Sequence, residues 1–258
     1  MSAVSVVACE DTRHTGRLLS HAGVKVRTVS FFEGNERDRI PDLLADLRAG
    51  RDVALVSDAG TPGISDPGFR LVRACAEEGI EVRVVPGASA VLAALVVSGL
   101  PTDRFAFEGF LPRKVGERRS RLQELASDPR TLVFYESPKR TVHTLEALAE
   151  AFGPDRPSAV ARELTKLHEE VLRGTLRELR DLLAARDEIR GEVVLVVAGA
   201  EPPVRTAPAE LLAEVRELID SGMRKRDAAR EVASRHGASA NELYSALTRP
   251  PARDHLDG

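Results

Sequence analysis

Three short stretches of this sequence combine small residues with polar ones in a pattern suited to holding a ligand against the backbone. The first is Ser57-Asp58-Ala59-Gly60-Thr61-Pro62-Gly63-Ile64-Ser65-Asp66-Pro67-Gly68, directly after the Val-rich run Val53–Val56. Its glycines and alanine leave room for a ligand to approach the main chain, and Asp58 and Thr61 offer polar contacts. It is neither a dinucleotide-binding G-x-G-x-x-G nor a phosphate loop, because no lysine follows its last glycine. The second is Pro86-Gly87-Ala88-Ser89-Ala90, where Ser89 stands at the start of a helical pattern. The third, Tyr135-Glu136-Ser137-Pro138-Lys139-Arg140, ends one apolar run and opens a helix at its proline. Taken singly, the first loop is as compatible with a structural turn as with a site, and Ser89 reads most simply as an N-cap. Taken together they sit where α/β proteins bind ligands, beyond the carboxyl ends of strands.

The elements that must position these loops alternate. Val4–Ala8, Val26–Ser30, Val53–Ser57, Glu81–Val85, Thr131–Tyr135 and Val193–Ala198 read as buried strands. Ile40–Arg48, Phe69–Glu78, Ala90–Val97, Arg118–Ala126 and Thr141–Ala151 read as helices, several ending at a glycine. Such alternation predicts an α/β fold with a largely parallel sheet over residues 1–108. After Tyr135 the pattern changes. Pro157–Thr165, Glu169–Gly174 and Gly191–Ala198 read as strands around one helix, Leu176–Ala185, which predicts an α+β domain over 109–200 joined near Phe107–Val115. Residues 201–208 form a proline-rich linker, 209–249 a helical module whose last two helices have a helix-turn-helix layout, and 250–258 a disordered tail.

Composition narrows the class. The chain has 258 residues, 30% of them charged, and a net charge of −3, which excludes a protein basic throughout but not one with a local basic site. No apolar run approaches a membrane span. The opening residues lack the basic start of a signal peptide, and a cytoplasmic location is expected. Cys9 and Cys75 stand far apart with no C-x-x-C, so neither a disulfide framework nor a structural metal is expected.

The motifs resemble those of the class III S-adenosylmethionine-dependent methyltransferases, the tetrapyrrole methylase-like family. The matching stretches are Ala8-Cys9-Glu10-Asp11-Thr12-Arg13, Val56–Gly68, Val85–Ala90, Phe110–Lys114, Val133–Arg140, Arg162–Lys166 and Gly191-Glu192, in family order along nearly the whole chain. The Ser-Asp-Ala-Gly-Thr-Pro and Phe-Tyr-Glu-Ser-Pro strings are similar to those of the branch that methylates a ribose 2′-hydroxyl of 16S rRNA in the decoding region. The porphyrin branch shows other residues there. The resemblance implies a two-domain fold with S-adenosylmethionine in the cleft, a homodimer, and 16S rRNA or the small ribosomal subunit as partner. By position, the cofactor contacts would be Ala59, Gly60, Thr61, Ile64, Ser89, Ala90, Tyr135, Glu136, Glu192 and Val193. The family also opens with a strand and a Gly-Thr-Pro-Ile-Gly-Asn-type loop that this sequence lacks. An open sheet edge is therefore expected, together with a start upstream of Met1 or a shortened chain.

Methyl transfer to a hydroxyl needs an in-line oxygen and an acceptor for its proton. Asp58, Glu163 and Lys166 are the candidates at strand ends, with Glu136 and His168 as further acceptors. Lys166 would act through its charge, or as a base were its pKa depressed; salt-bridged strand ends are the plain alternative for Glu163 and Lys166. Binding RNA requires contacts to its phosphates. Arg113, Lys114, Arg118, Arg119 and Arg121 crowd into nine positions with one acid, Glu117, and Arg224-Lys225-Arg226 forms a second basic group. Arg113, Lys114, Arg118 and Arg119 are the expected RNA contacts, against the alternative of a solvated helix face. With 4% aromatic residues, broad base stacking is not indicated. Two rival functions are a porphyrinogen or precorrin C-methyltransferase and a non-enzymatic nucleic-acid-binding regulator.

Overall fold

The computed structural model describes residues 3–201 and 208–248. Most of the proline-rich stretch and the tail lie outside them. Two compact units result, residues 1–199 and 200–258.

In the first unit, β1 (Val6–Cys9) is wholly buried and pairs in parallel with β2 (Arg27–Ser30) on one side and β3 (Val53–Val56) on the other. Helices α1 (Thr12–His21), α2 (Glu36–Arg48) and α3 (Phe69–Glu77) connect and follow these strands. Asp11 starts α1 by accepting the amide of Arg13 at 2.7 Å, a conventional N-cap. Val6, Ala8, Phe31, Leu43, Leu44, Leu71 and Cys75 form the core between sheet and helices. All strand pairs here are parallel, so the loops entering α1 and α3 leave from the same end of the sheet.

The run Glu81–Val85, read as a strand, is not one. It carries no regular structure and pairs with no strand, and Val84 and Val85 are 77% and 90% exposed. Its valines have the right propensity, but among the described residues no strand lies alongside it or along the outer edge of β3. A strand exists only where its amides find a partner.

The second sheet has five strands in the order β4 (Phe105–Phe110), β5 (Thr131–Glu136), β8 (Val193–Val197), β6 (Pro157–Arg162) and β7 (Glu170–Thr175). Only β4 and β5 run parallel. The seam expected at 108/109 therefore runs through β4, whose pairing with β5 places residues 105–110 inside this sheet. One face carries α5 (Val115–Leu125), α6 (Thr141–Phe152) and α7 (Leu176–Ala184) around Leu132, Phe134, Leu145, Leu148 and Leu195. The other face carries α4 (Ala90–Ser98), which packs on Val133, Ala159, Ala161, Val194 and Val196. This helix follows the first-sheet elements in sequence but buries its apolar side on the second sheet.

In the second unit, α8 (Pro208–Asp220), α9 (Lys225–His236) and α10 (Ala240–Thr248) share a small core of Leu211, Val215, Ala228, Ala229, Val232, Ala233 and Leu243. Gly237, at φ +63°, turns the chain between the last two. Among the described residues no helix is long and apolar enough to cross a membrane.

Candidate functional site

The second sheet's register explains how distant residues meet. Tyr135 pairs with Val194 and with Phe110, Glu136 with Val193, and Arg162 with Val193. The carboxyl ends of β4, β5 and β6 thus flank the amino end of β8. Phe110, Tyr135, Glu136, Glu163, Glu192 and Val193 gather on that rim.

The loop 57–68 reaches the same rim. Its far end is held by the buried Glu36, which accepts the Gly68 amide at 3.2 Å and lies 3.5 Å from Arg70. A side chain on Gly109, where β4 bulges, would touch the Ser65 hydroxyl. Asp66 stands beside Gly60 inside the loop. Burial pushes the Asp66 carboxyl up, against a hydrogen bond from Ser57, and nearby Asp58 adds to the rise. The Tyr135 hydroxyl is raised by burial and then by Asp66 and Glu192, with the nearby Val91 amide at the start of α4 opposing the rise. Glu10, at the end of β1, is likewise raised by burial and by Asp66 and Asp58. Loop 57–68, the start of α4, Tyr135 and Glu192 therefore share one neighbourhood. Ser89 caps α4, accepting the Leu92 amide at 3.4 Å.

Glu163 and Lys166 form the opposite side. The Lys166 ammonium lies 2.8 Å from Glu163 and 3.1 Å from Glu192, and Glu163 also accepts the Glu192 amide at 2.9 Å. A side chain on Gly191 would run into Glu163, so a glycine there lets the carboxylate lie on the backbone entering β8. The Glu163 bond raises Lys166 and lowers Glu163. Lys166 is thereby held charged, which leaves its electrostatic role and removes that of a neutral base. His168 is exposed.

Backbone conformation marks the same two loops. Among the described residues, the non-glycine residues with positive φ are Ser65 (+59°), Glu163 (+50°) and Thr165 (+65°). Such conformations cost energy and gather at functional sites.

The arginine-rich segment divides into paired and unpaired charges. Arg121 is tied to Glu108 and Glu124, and Lys114 to Glu117 at 2.8 Å. Arg113, Arg118 and Arg119 make no ion pair among the described residues. Arg113 ends the loop after β4, at the rim. In the second unit Lys225 and Arg226 open α9, with Arg226 over the Tyr244 ring at 5.8 Å.

A cationic sulfonium cofactor suits this rim. The backbone at Ala59 and Gly60 is exposed, and Asp58, Asp66 and Glu10 supply negative charge opposite a positive group. The Glu136 carboxylate is occupied by Ser137 and Thr144, so its contact to such a group would go through the backbone. Sequence reasoning gave no role to Asp66, Glu10 or Glu36. A carboxylate inside a loop of glycines was the available signal for Asp66; the Glu36–Gly68 bond spans 32 positions and left none.

Comparison with known proteins gives the family and the fold. The family model for tetrapyrrole (corrin/porphyrin) methylases matches residues 1–180. Ribosomal RNA small subunit methyltransferase I of Mycobacterium tuberculosis (strain CDC 1551 / Oshkosh) is 46% identical over 250 residues, 96% of this chain and 86% of the relative. Its Synechocystis namesake is 46% identical over 95% of this chain and 88% of the relative. That of Escherichia coli O157:H7 is 42% identical over 95% and 85%. Among solved structures, a cobalt precorrin-4 methyltransferase superposes with TM-score 0.54 at 19% identity, covering 76% of this chain and 84% of the other. The methyltransferase CobJ gives 0.52 at 22%, covering 77% and 95%.

Proposed function

The chain belongs to the tetrapyrrole methylase family and, within it, to the ribosomal RNA small subunit methyltransferase I group, and from that membership we propose that it methylates a ribose 2′-hydroxyl of a decoding-region cytidine in 16S rRNA. One observation carries the reading: a small-residue loop lined with carboxylates shares a rim with the unpaired Arg113. The first suits a sulfonium cofactor and the second an RNA phosphate.

S-adenosylmethionine would supply an electrophilic methyl group on a positively charged sulfur. Ala59, Gly60, Thr61 and Ile64 would hold it from one side. Ser89, Ala90, Tyr135 and the backbone of Glu136, Glu192 and Val193 would hold it from the other. A ribose oxygen placed in line would take that methyl group, leaving the carbon–sulfur electron pair on sulfur, and its hydroxyl proton would need an acceptor on the protein. Asp58, exposed where Glu10 and Asp66 are half-buried, is the proposed acceptor. Lys166, held charged by Glu163 and Glu192, stabilises the developing alkoxide, and Glu163 positions it. Arg113, Arg118, Arg119 and Lys114 grip the RNA; the exposed Lys114–Glu117 pair costs little to open. The proposal includes a homodimer, with exposed Val84, Val85, Leu92 and Val96 as apolar surface available to it, and action in the cytoplasm on the small subunit.

The test supplies labelled S-adenosylmethionine with small subunits lacking the modification, and separately with uroporphyrinogen III. Label in the RNA alone supports the proposal. Label in the tetrapyrrole, or binding of cofactor with no transfer to RNA, overturns it.

A further inference from the structure

A cavity of about 430 Å³ opens beside the rim, at the carboxyl ends of β4 and β5. Phe110, Arg113, Ser137 and Arg140 line it, with Glu136 at its floor. The Glu136 side chain has 0% exposure and is saturated by its own surroundings. It accepts the Ser137 amide at 2.7 Å and the Thr144 hydroxyl at 2.6 Å, and Arg140 stands 3.5 Å away. The same Arg140 nitrogen, Nη2, donates to the carbonyls of Leu111 at 3.1 Å and Pro112 at 3.5 Å. Arg140 is therefore fixed between the end of β5 and the loop after β4. Its Nε and Nη1 make no hydrogen bond or ion pair among the described residues, and neither does the exposed Arg113. Phe110, 56% exposed, leans on Tyr135 with ring centroids 5.6 Å apart and offers its remaining surface to the cavity.

A fixed guanidinium, a second free one, a hydroxyl and a supported aromatic ring are the parts that recognise one unstacked nucleotide. The volume fits within the range of small-molecule sites, roughly 300–1,000 Å³, and is too small for duplex. We propose that this cavity receives a single RNA nucleotide, its phosphate on Arg113 and the unpaired Nη1 of Arg140 and its base against Phe110. This deepens the RNA-methyltransferase reading and rests on it: a folded-RNA loop would enter the rim with one residue splayed out and anchored here. A single platform also agrees with the low aromatic content, which suits one base better than a stacked run.

The experiment titrates the full chain with cytidine 5′-monophosphate and with cytidine, and measures S-adenosylmethionine affinity on the same samples. The proposal expects saturable binding of the monophosphate, tighter than that of cytidine. Binding should weaken about tenfold in Phe110→Ala and in Arg113→Ala, with cofactor affinity at the native value. Phe110→Leu keeps apolar bulk without the aromatic face, and should weaken binding while retaining the native melting temperature. Equal monophosphate affinity in native protein and variants, or none in the native protein, overturns the proposal. Loss of cofactor affinity in Arg113→Ala with the melting temperature unchanged also overturns it, by assigning the cavity to the cofactor. Native protein that binds the monophosphate here yet transfers no methyl group to RNA would defeat the methyltransferase reading and leave the nucleotide site standing.

Discussion

At the scale of single residues, the account depends on charges that the fold holds in one state. Lys166 sits between two carboxylates, at 2.8 and 3.1 Å, and stays protonated through the neutral range. Removing its charge should therefore slow the chemical step and leave cofactor binding alone. Lys166→Ala is expected to lower the single-turnover transfer rate by about 10²-fold, and Asp58→Asn by roughly 10²–10⁴-fold. Lys166→Arg should recover part of the loss. A Lys166→Ala variant with the native rate would remove this residue from the mechanism. The sequence made Asp58, Glu163 and Lys166 visible as candidates because each stands at a strand end. It could not show that Gly191 exists to admit Glu163, since that contact joins loops 28 positions apart.

Among the elements, β6 and β7 carry the Glu163–Lys166 loop, and a partly buried ion-pair group fastens them at the end from which that loop leaves. Glu170 lies 2.7 Å from Arg186 and 3.1 Å from Arg162. The Arg186 bond above all, then that of Arg162, lowers its carboxyl from 4.5 to about 2. Because the folded-state value lies below the unfolded one, the stabilisation is complete above about pH 4.5 and fades as the pH falls toward 2. Glu170→Gln should cost about 2 kcal/mol at pH 7, and the gap from native protein should narrow as acid is added. Denaturant titrations at a series of pH values read this directly; a gap constant with pH would contradict it. Most strands were legible because their Val-rich runs are buried on both faces, as β1 and β8 are. β4 was missed for the opposite reason: Phe105-Ala-Phe-Glu-Gly-Phe110 is part-exposed, has no Val-rich run and is broken by a bulge at Gly109. Glu81–Val85 was misread because propensity carries no information about whether a partner strand is present.

For the whole molecule, the net charge of −3 hides the distribution that matters. Many arginines are spent in ion pairs, while Arg113, Arg118 and Arg119 remain open at one place in the first unit. The convergence of loop 57–68 on the second sheet could not be read from spacing, because it depends on how two sheets meet; of the neighbouring charges, Lys114–Glu117 and Arg121–Glu124 are i,i+3 pairs, whereas Arg121–Glu108 spans 13 positions. The small-residue loops were legible; the rim that joins them was not. The central claim is that this rim directs a methyl group to ribose. The most direct measurement is mass spectrometry of nucleosides from small-subunit RNA incubated with the protein and S-adenosylmethionine. The account predicts the appearance of 2′-O-methylcytidine, lost in Asp58→Asn. A methyl group on a base, or unmodified RNA despite bound cofactor, would contradict it.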